Sequence, residues 1–368
     1  MKMLDLLETP SVVVDMEKVH ENLKRMSEHA AACGCSLRPH IKTHKIPELA
    51  QLQLRYGACG VTCAKVSEAE VMADAGIKDI FIAYPLVGEF RINRAVGLAK
   101  RIRLILGADS VEGAAMLSQA AQAAGVEFEV RLEIDTGLKR TGIPFDAAEE
   151  TCKAIAAMSA IRVSGIYTFR GLLFNGSPTT DNSAAGRQEG EMMAALAGRL
   201  RSEGLDIRDV SCGSTPTGSY AAEVKGVTEI RPGTYIFQDY MQVCEGSCSL
   251  EECAASVLVT VVSTPADNYA VVDGGSKTFG TDFPVGLPPF YFKGYGHVKD
   301  NPDLVLSRVN EEHGIITGLS GITGLKMGQR LSIIPVHICS TLNLHNHIWL
   351  AEKGMYRKVR VEARGMLV

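Results

Sequence analysis

From Asp15 to Phe237 the chain alternates between segments with apolar positions every three or four residues and short strand-like runs. The first spacing puts one face of a helix against a core, and the runs between are of strand length. Asp15 is placed to cap a helix whose inner face is Val19, Leu23, Met26 and Ala30. The strand-like SLRPHIK follows, then a helix through IPELAQLQLRYG and the strand GVTCAK. Ser67 and Glu70 read as a capping box for EAEVMADA, which Gly76 stops. The alternation continues through strands DIFIAY, IRLIL, EFEVRLEID, RVSGIYTF and IRDVSCG to a last strand-like run, TEIRPGTYIF. Between them lie helices FRINRAVGLAKR, one from Ser110, DAAEETCKAIAAM and GRQEGEMMAALAGRLRSEG.

Eight strands alternating with helices is the order of a parallel (β/α)8 TIM barrel. A doubly wound sheet shares that order, but eight units in about 220 residues favour closure. After Cys253 the pattern changes: AASVLVTVVST, YAVVDGGS, HGIITGL, RLSIIPVHIC and YRKVRVEARG are short strand candidates divided by Gly, Pro, Asn and Asp. They predict a second, mainly antiparallel β domain. The expected division is a barrel over 15–250 and a β domain over 251–368, the latter joined by an N-terminal strand from 1–14.

A chain of 368 residues with 46% hydrophobic content has room for both domains, and a net charge of -4 provides no global basic field for nucleic acid. No apolar run reaches the length of a membrane span, so a soluble, cytoplasmic protein is expected. Ten cysteines are scattered without a CxxC pair, as reduced and mostly buried thiols would be. One of them, Cys339, has a neighbour that changes its reading.

The stretch LRPHIKTHK (37–45) concentrates cations and imidazoles, and it reads as a solvated loop, a nucleic-acid patch or a site for a phosphate-bearing cofactor. Barrels hold their active sites at the C-terminal ends of the strands. Those ends read HIKTHK, CAK, AYP, EIDTGLKRTG, IYTFRG, SCGSTPTG and RPGTYIF, so the stretch is one strand mouth among several rich in cations, hydroxyls and glycines. An inward-pointing Lys42 would be partly desolvated and its amine nucleophilic. Lys45 competes for that role but is expected to face solvent, and His40 and His44 also read as core or loop imidazoles. Gly213, Ser214, Thr215, Gly233 and Thr234 are candidates to hold a phosphate after the last two strands, although each turn alone is only a tight turn. A nucleophilic lysine and a phosphate cup on one rim point to pyridoxal phosphate. In the β domain, His337 and Cys339 form an H-x-C pair whose side chains would share one face of a strand. Imidazole and thiolate suit zinc, and two protein ligands leave coordination open to water or substrate.

In order along the chain, TPSVVVD, RPHIKTHK, AKVSEAEVMADAGI, EIDTGLKRTG, EIRPGTY, DGGSKT, EEHG and PVHIC resemble the fold-type III pyridoxal phosphate enzymes typified by alanine racemase. More narrowly, they resemble the D-serine dehydratase and D-threonine aldolase group. The resemblance implies a barrel plus β domain, a homodimer with its active site near the subunit interface, and metal ligands beside the cofactor. It implies Lys42 as the cofactor lysine, with His40, Arg140, Tyr167, Ser214, Thr215, Gly233, Thr234 and Tyr235 around the cofactor. His337 and Cys339 would bind zinc or another divalent cation such as Mn2+, His337 thereby taking part in catalysis.

The implied reaction is a lyase reaction on small β-hydroxy-D-amino acids. Cys339 favours loss of water to a keto acid and ammonia over retro-aldol cleavage to glycine and an aldehyde. An amino-acid racemase is a further alternative, and it would leave the H-x-C pair idle. A cofactor-carrying protein without the second domain's chemistry would leave that whole domain unused. Where the group often has a histidine this chain has Phe169 and Arg170, the arginine being expected either to bind a second carboxylate or a larger substrate, or to face solvent. The segment TFGTDFPVGLPPFYFKGYGHV is read as shaping an unusual pocket.

Overall fold

The computed structural model describes residues 6–368, which fold as two units. One comprises Lys24–Lys42, Ile46–Gly233 and Gly365–Val368; the other comprises the chain up to Leu23, Thr43–Lys45 and Thr234–Arg364.

The first unit is built on eight parallel strands: Ser36–Leu37, Val61–Cys63, Asp79–Pro85, Arg103–Ala108, Phe128–Asp135, Ile161–Tyr167, Asp209–Cys212 and Glu229–Ile230. Each pairs with its sequence neighbour from the second strand to the eighth, and the eighth pairs with the first through Glu229↔Ser36 and Ile230↔Leu37. A single parallel bridge, His40↔Thr62, joins the first strand's continuation to the second and closes the ring. This is the (β/α)8 barrel that the alternation predicts. Its first and last strands are only two residues long, because Pro39 and Pro232 lack the N–H a ladder needs. The chain beyond Leu37 turns instead into a 3-10 turn at Ile41–Thr43.

Some helix starts follow local chemistry and others do not. The Ser110 hydroxyl caps Val111–Ala124 by accepting the Gly113 N–H. Ser67, expected to cap Val66–Asp74, lies one position inside that helix and donates to the Val368 carbonyl. Glu68 takes over at that end, accepting the Ala64 N–H at 2.7 Å.

The barrel interior is charged. Along Phe128–Asp135, Glu129, Arg131 and Glu133 all point to the same buried side. Glu229 accepts from Arg38 Nε at 2.7 Å, Arg131 Nη1 at 2.5 Å and the Ser211 hydroxyl at 2.6 Å, and Arg38 also reaches Asp79. Burial favours the protonated carboxyl, but the two guanidinium groups hold Glu229 at about 2.

The second unit is mainly antiparallel. Tyr269–Val272, Gly314–Gly318, Leu304–Val309, Gly296–Val298, Arg330–Pro335 and Ala255–Ala266 pair in that order, and Ala255–Ala266 returns to Tyr269–Val272 to close a ring of six. Ser11–Asp15 extends the sheet, antiparallel to Ala255–Ala266 and parallel to His347–Glu352, which Met355–Arg360 follows. Val12 and Val14 alternate inward, as a half-buried strand requires. Among the described residues no helix is long and apolar enough to cross a membrane.

Candidate functional site

In the barrel unit, Lys42 sits in the 3-10 turn just past the first strand rather than at the strand's end. Its backbone N–H donates to His40 Nδ1 at 3.3 Å, and the His40 N–H is tied to the Pro232 carbonyl at 3.0 Å. The half-buried Lys42 amine stands 5.6 Å from the centre of the Phe169 ring, and the exposed Arg140 guanidinium stands 4.8 Å from the same ring. Phe169 thus gathers two cations from two strand ends at one mouth, with its ring face offered to both. That is a setting for an anionic, planar group.

Tyr167 is buried to 1% exposure, closing the sixth strand. Its hydroxyl donates to Glu133 at 3.1 Å, its ring meets Phe81 edge-on, and the Arg231 guanidinium lies 5.2 Å from its centre. Burial, with the Glu133 carboxylate beside it, raises this phenol well above the ordinary range, so it is a fixed neutral donor. Arg231 in turn holds the Ser211 hydroxyl at 2.5 Å and the Thr168 carbonyl at 2.6 Å, tying strands six to eight together beneath the mouth.

After the seventh strand the chain turns at Gly213, with φ +82. A Cβ there would stand 2.6 Å from the Gly218 Cα, so only glycine lets the two backbone segments approach. The Ser214 N–H and hydroxyl both meet the Thr217 hydroxyl at 2.9 Å, which itself reaches Glu189 at 3.3 Å. Glu189 also accepts the Arg170 N–H at 3.2 Å, and its burial raises it to about 7. Arg170 does not face solvent. It is 3% exposed, and its guanidinium runs along helix Asn182–Ser202, donating to Gln188 at 2.7 Å and meeting the Met192 sulfur at 3.6 Å.

In the β unit, His337 and Cys339 do not share a strand. The strand ends at Pro335, His337 is the extended residue before the short helix Ile338–Asn343, and Cys339 lies in its first turn. A corner from strand to helix, not a period of two, brings the side chains together. Asp239, fully buried, fixes that corner by accepting the N–H groups of Ile338 and Gln242, each at 3.0 Å. Asp282 lies 2.9 Å from His337 Nδ1, and the Ser340 hydroxyl is 3.3 Å from the same nitrogen. The Cys339 sulfur is 3.2 Å from the Thr43 hydroxyl and 3.5 Å from that of Thr234. Tyr235, next in the chain, is buried to 1% exposure. Lys45, expected in solvent, is also buried in this unit, at 6% exposure: its backbone turns at φ +57 and its carbonyl accepts the Ala363 N–H.

Burial works against an imidazolium at 337, yet Cys339 and Asp282 raise His337 to about 11. Burial likewise opposes a thiolate at 339, but His337 beside it and the Thr43 hydroxyl bring the thiol below its ordinary range. A thiolate beside an imidazole whose other nitrogen meets a carboxylate is a donor set for a soft or borderline divalent cation. Among the described residues no group of three or more His, Cys, Asp and Glu could hold a metal, so the pair suits a cation with open positions.

Composition and spacing could single out Lys42 and the H-x-C pair, and the family resemblance pointed to Arg140, but neither reached Asp282, Asp239, Thr43 or Glu189. Asp282 lies in an irregular segment 55 residues from its partner, and Thr43 lies 296 residues from Cys339, so no local signal joins them.

Comparison with known proteins gives two matches along the chain. Residues 14–241 match the alanine racemase N-terminal domain, and residues 254–351 match the serine dehydratase domain. The D-threo-3-hydroxyaspartate dehydratase of Delftia sp. (strain HT23) is 35% identical over 91% of this chain and 92% of its own. A D-threonine aldolase of Arthrobacter sp. is 30% identical over 98% and 93%. A solved structure of the Delftia dehydratase, 32% identical over 98% of this chain and 99% of its own, superposes with a TM-score of 0.90. A mutant of that dehydratase has been solved in a metal-free form with the same overlap. The chain therefore belongs to the alanine racemase N-terminal domain family, in the branch that carries a serine dehydratase domain behind the barrel.

Proposed function

We propose that this protein is a pyridoxal phosphate- and divalent-metal-dependent lyase that removes water from small β-hydroxy-D-amino acids, giving a keto acid and ammonia. The observation that carries the reading is the His337–Cys339 corner with Asp282 behind it, an ordered imidazole–thiol pair that a racemase reading leaves idle. The relatives support the same class of substrate: a D-threo-3-hydroxyaspartate dehydratase, a D-threonine aldolase and a D-serine dehydratase all align over nine-tenths or more of the chain.

Lys42 Nζ would hold the cofactor covalently, with Arg140 and the Phe169 ring beside it. Gly213, Ser214, Thr215, Gly233 and Thr234 would hold its phosphate; the space that a Cβ at 213 would fill fits a backbone cradle of this kind. His40, Tyr167 and Tyr235 complete the set that the resemblance implies. The cofactor supplies electron withdrawal from the substrate Cα. A divalent cation, zinc or manganese, supplies activation of the β-hydroxyl as a leaving group. For their part, His337 Nε2 and the Cys339 thiolate would bind the cation, and Asp239 keeps the corner from shifting. Tyr167, buried and held to Glu133, stays a neutral donor beneath the mouth.

Retro-aldol cleavage is the second reading. It is favoured by the D-threonine aldolase relative, which aligns over more of the chain than the dehydratase does. Cys339 sets the order of the two, its thiolate being the feature that the resemblance ties to loss of water. The reading includes a homodimer and a cytoplasmic location; ten cysteines that are all free thiols support a reducing compartment. Bound cofactor by visible absorbance, bound metal by elemental analysis and keto acid release from D-serine test the reading together. Protein that carries both groups yet releases no keto acid from any β-hydroxy-D-amino acid would overturn it.

A further inference from the structure

We infer that Asp282 is the residue that orients His337 for metal binding, an inference that rests on His337 and Cys339 being the metal ligands. The carboxylate lies 2.9 Å from His337 Nδ1. An imidazole that gives its Nδ1 proton to a carboxylate has one tautomer and one ring orientation, and its free lone pair is on Nε2. The neighbouring structure is built to deliver that carboxylate. Two residues earlier, the Gly280 N–H donates to the Thr341 hydroxyl at 2.9 Å, so the segment is pinned to helix Ile338–Asn343 at a second point. The approach at Gly280 is close: a Cβ there would stand 2.8 Å from the Ser340 Cβ. One residue later, Phe283 is buried and packs edge-on against Phe292, in a cluster with Val336. Asp282 is thus held between two anchors, one to the helix that carries Cys339 and one to the residue before His337. The Ser340 hydroxyl reaches the same nitrogen at 3.3 Å but carries no charge, so it cannot replace the carboxylate's pull on the proton.

Asp282 then sets affinity without being a ligand. The test is zinc binding by the metal-stripped, cofactor-bearing enzyme, with zinc ions titrated against a chromogenic chelator in wild type, D282A, D282N and H337A. Asp282 is half-exposed at its side chain, so the variants should melt as wild type does, which thermal denaturation checks. D282A is expected to bind one zinc per chain about 10- to 100-fold more weakly, the usual effect of removing such an outer partner. D282N, which keeps an acceptor oxygen, should fall between the two, and H337A should lose the site. Equal zinc affinity in wild type and D282A would overturn this inference alone. A wild type with no zinc site that H337A removes would overturn the metal reading and this inference with it.

Discussion

The hydroxyl of Thr43 lies 3.2 Å from the sulfur of Cys339, although 296 residues separate them in the chain. Thr43 and Cys339 both belong to the β unit, and the contact ties the short stretch Thr43–Lys45 to helix Ile338–Asn343. In metal-free protein that hydroxyl, together with His337, keeps the thiol below its ordinary range. Replacing Thr43 by valine removes that contribution and should raise the thiol. The pH profile of Cys339 alkylation, followed on its own peptide by mass spectrometry, should shift upward accordingly. An unshifted profile would show that the hydroxyl does not act on the sulfur.

Lys42→Ala should abolish the visible band of bound pyridoxal phosphate. Borohydride should fix the cofactor to wild type and not to the variant. A retained band that borohydride still fixes would assign the cofactor to another lysine, and Lys45, buried at 6% exposure, would be the next to test.

Gly213→Ala brings a methyl to 2.6 Å from the Gly218 Cα and places alanine at φ +82. The strain should cost about 1–3 kcal/mol in urea unfolding and weaken cofactor binding at least tenfold, because the backbone of the phosphate turn must shift. Cofactor affinity equal to that of wild type would remove this turn from the phosphate site.

Glu229 makes stability depend on acid. Arg131 and Arg38 hold it at about 2, against burial, while an unfolded glutamate sits near 4.5. A depressed carboxyl contributes stability that is complete above about 4.5 and is lost as pH falls towards 2. Glu229→Gln leaves two buried guanidinium groups underpaired and should cost about 3–5 kcal/mol at neutral pH. Urea unfolding across pH should show that difference shrinking between about 4.5 and 2; a difference independent of pH would mean that the charge is not what matters.

The barrel was legible in the sequence because strand-like and helix-period segments alternate eight times, and Ser110 announces its helix through its own side chain. The ring's closure was not, since it rests on two-residue strands and one bridge, His40↔Thr62. Within the candidate site, residues with unusual chemistry in short motifs, Lys42 and the H-x-C pair, stood out. Their supports did not. Asp282 and Asp239 reach their partners through tertiary folding alone, and Arg170 could be assigned to solvent until Gln188 and Met192 were seen to enclose it. His337 and Cys339 illustrate the middle case: the pairing was legible, the geometry behind it was not, because Pro335 ends the strand before either residue is reached.

The most direct measurement is a product assay on purified, cofactor- and zinc-loaded protein with D-serine, D-threonine, D-threo-3-hydroxyaspartate and their L-forms. Pyruvate, 2-oxobutyrate or oxaloacetate, released with equimolar ammonia from D-substrates only and lost in Cys339→Ala, is the predicted result. Glycine with an aldehyde, or interconversion of the D- and L-forms without cleavage, would contradict it.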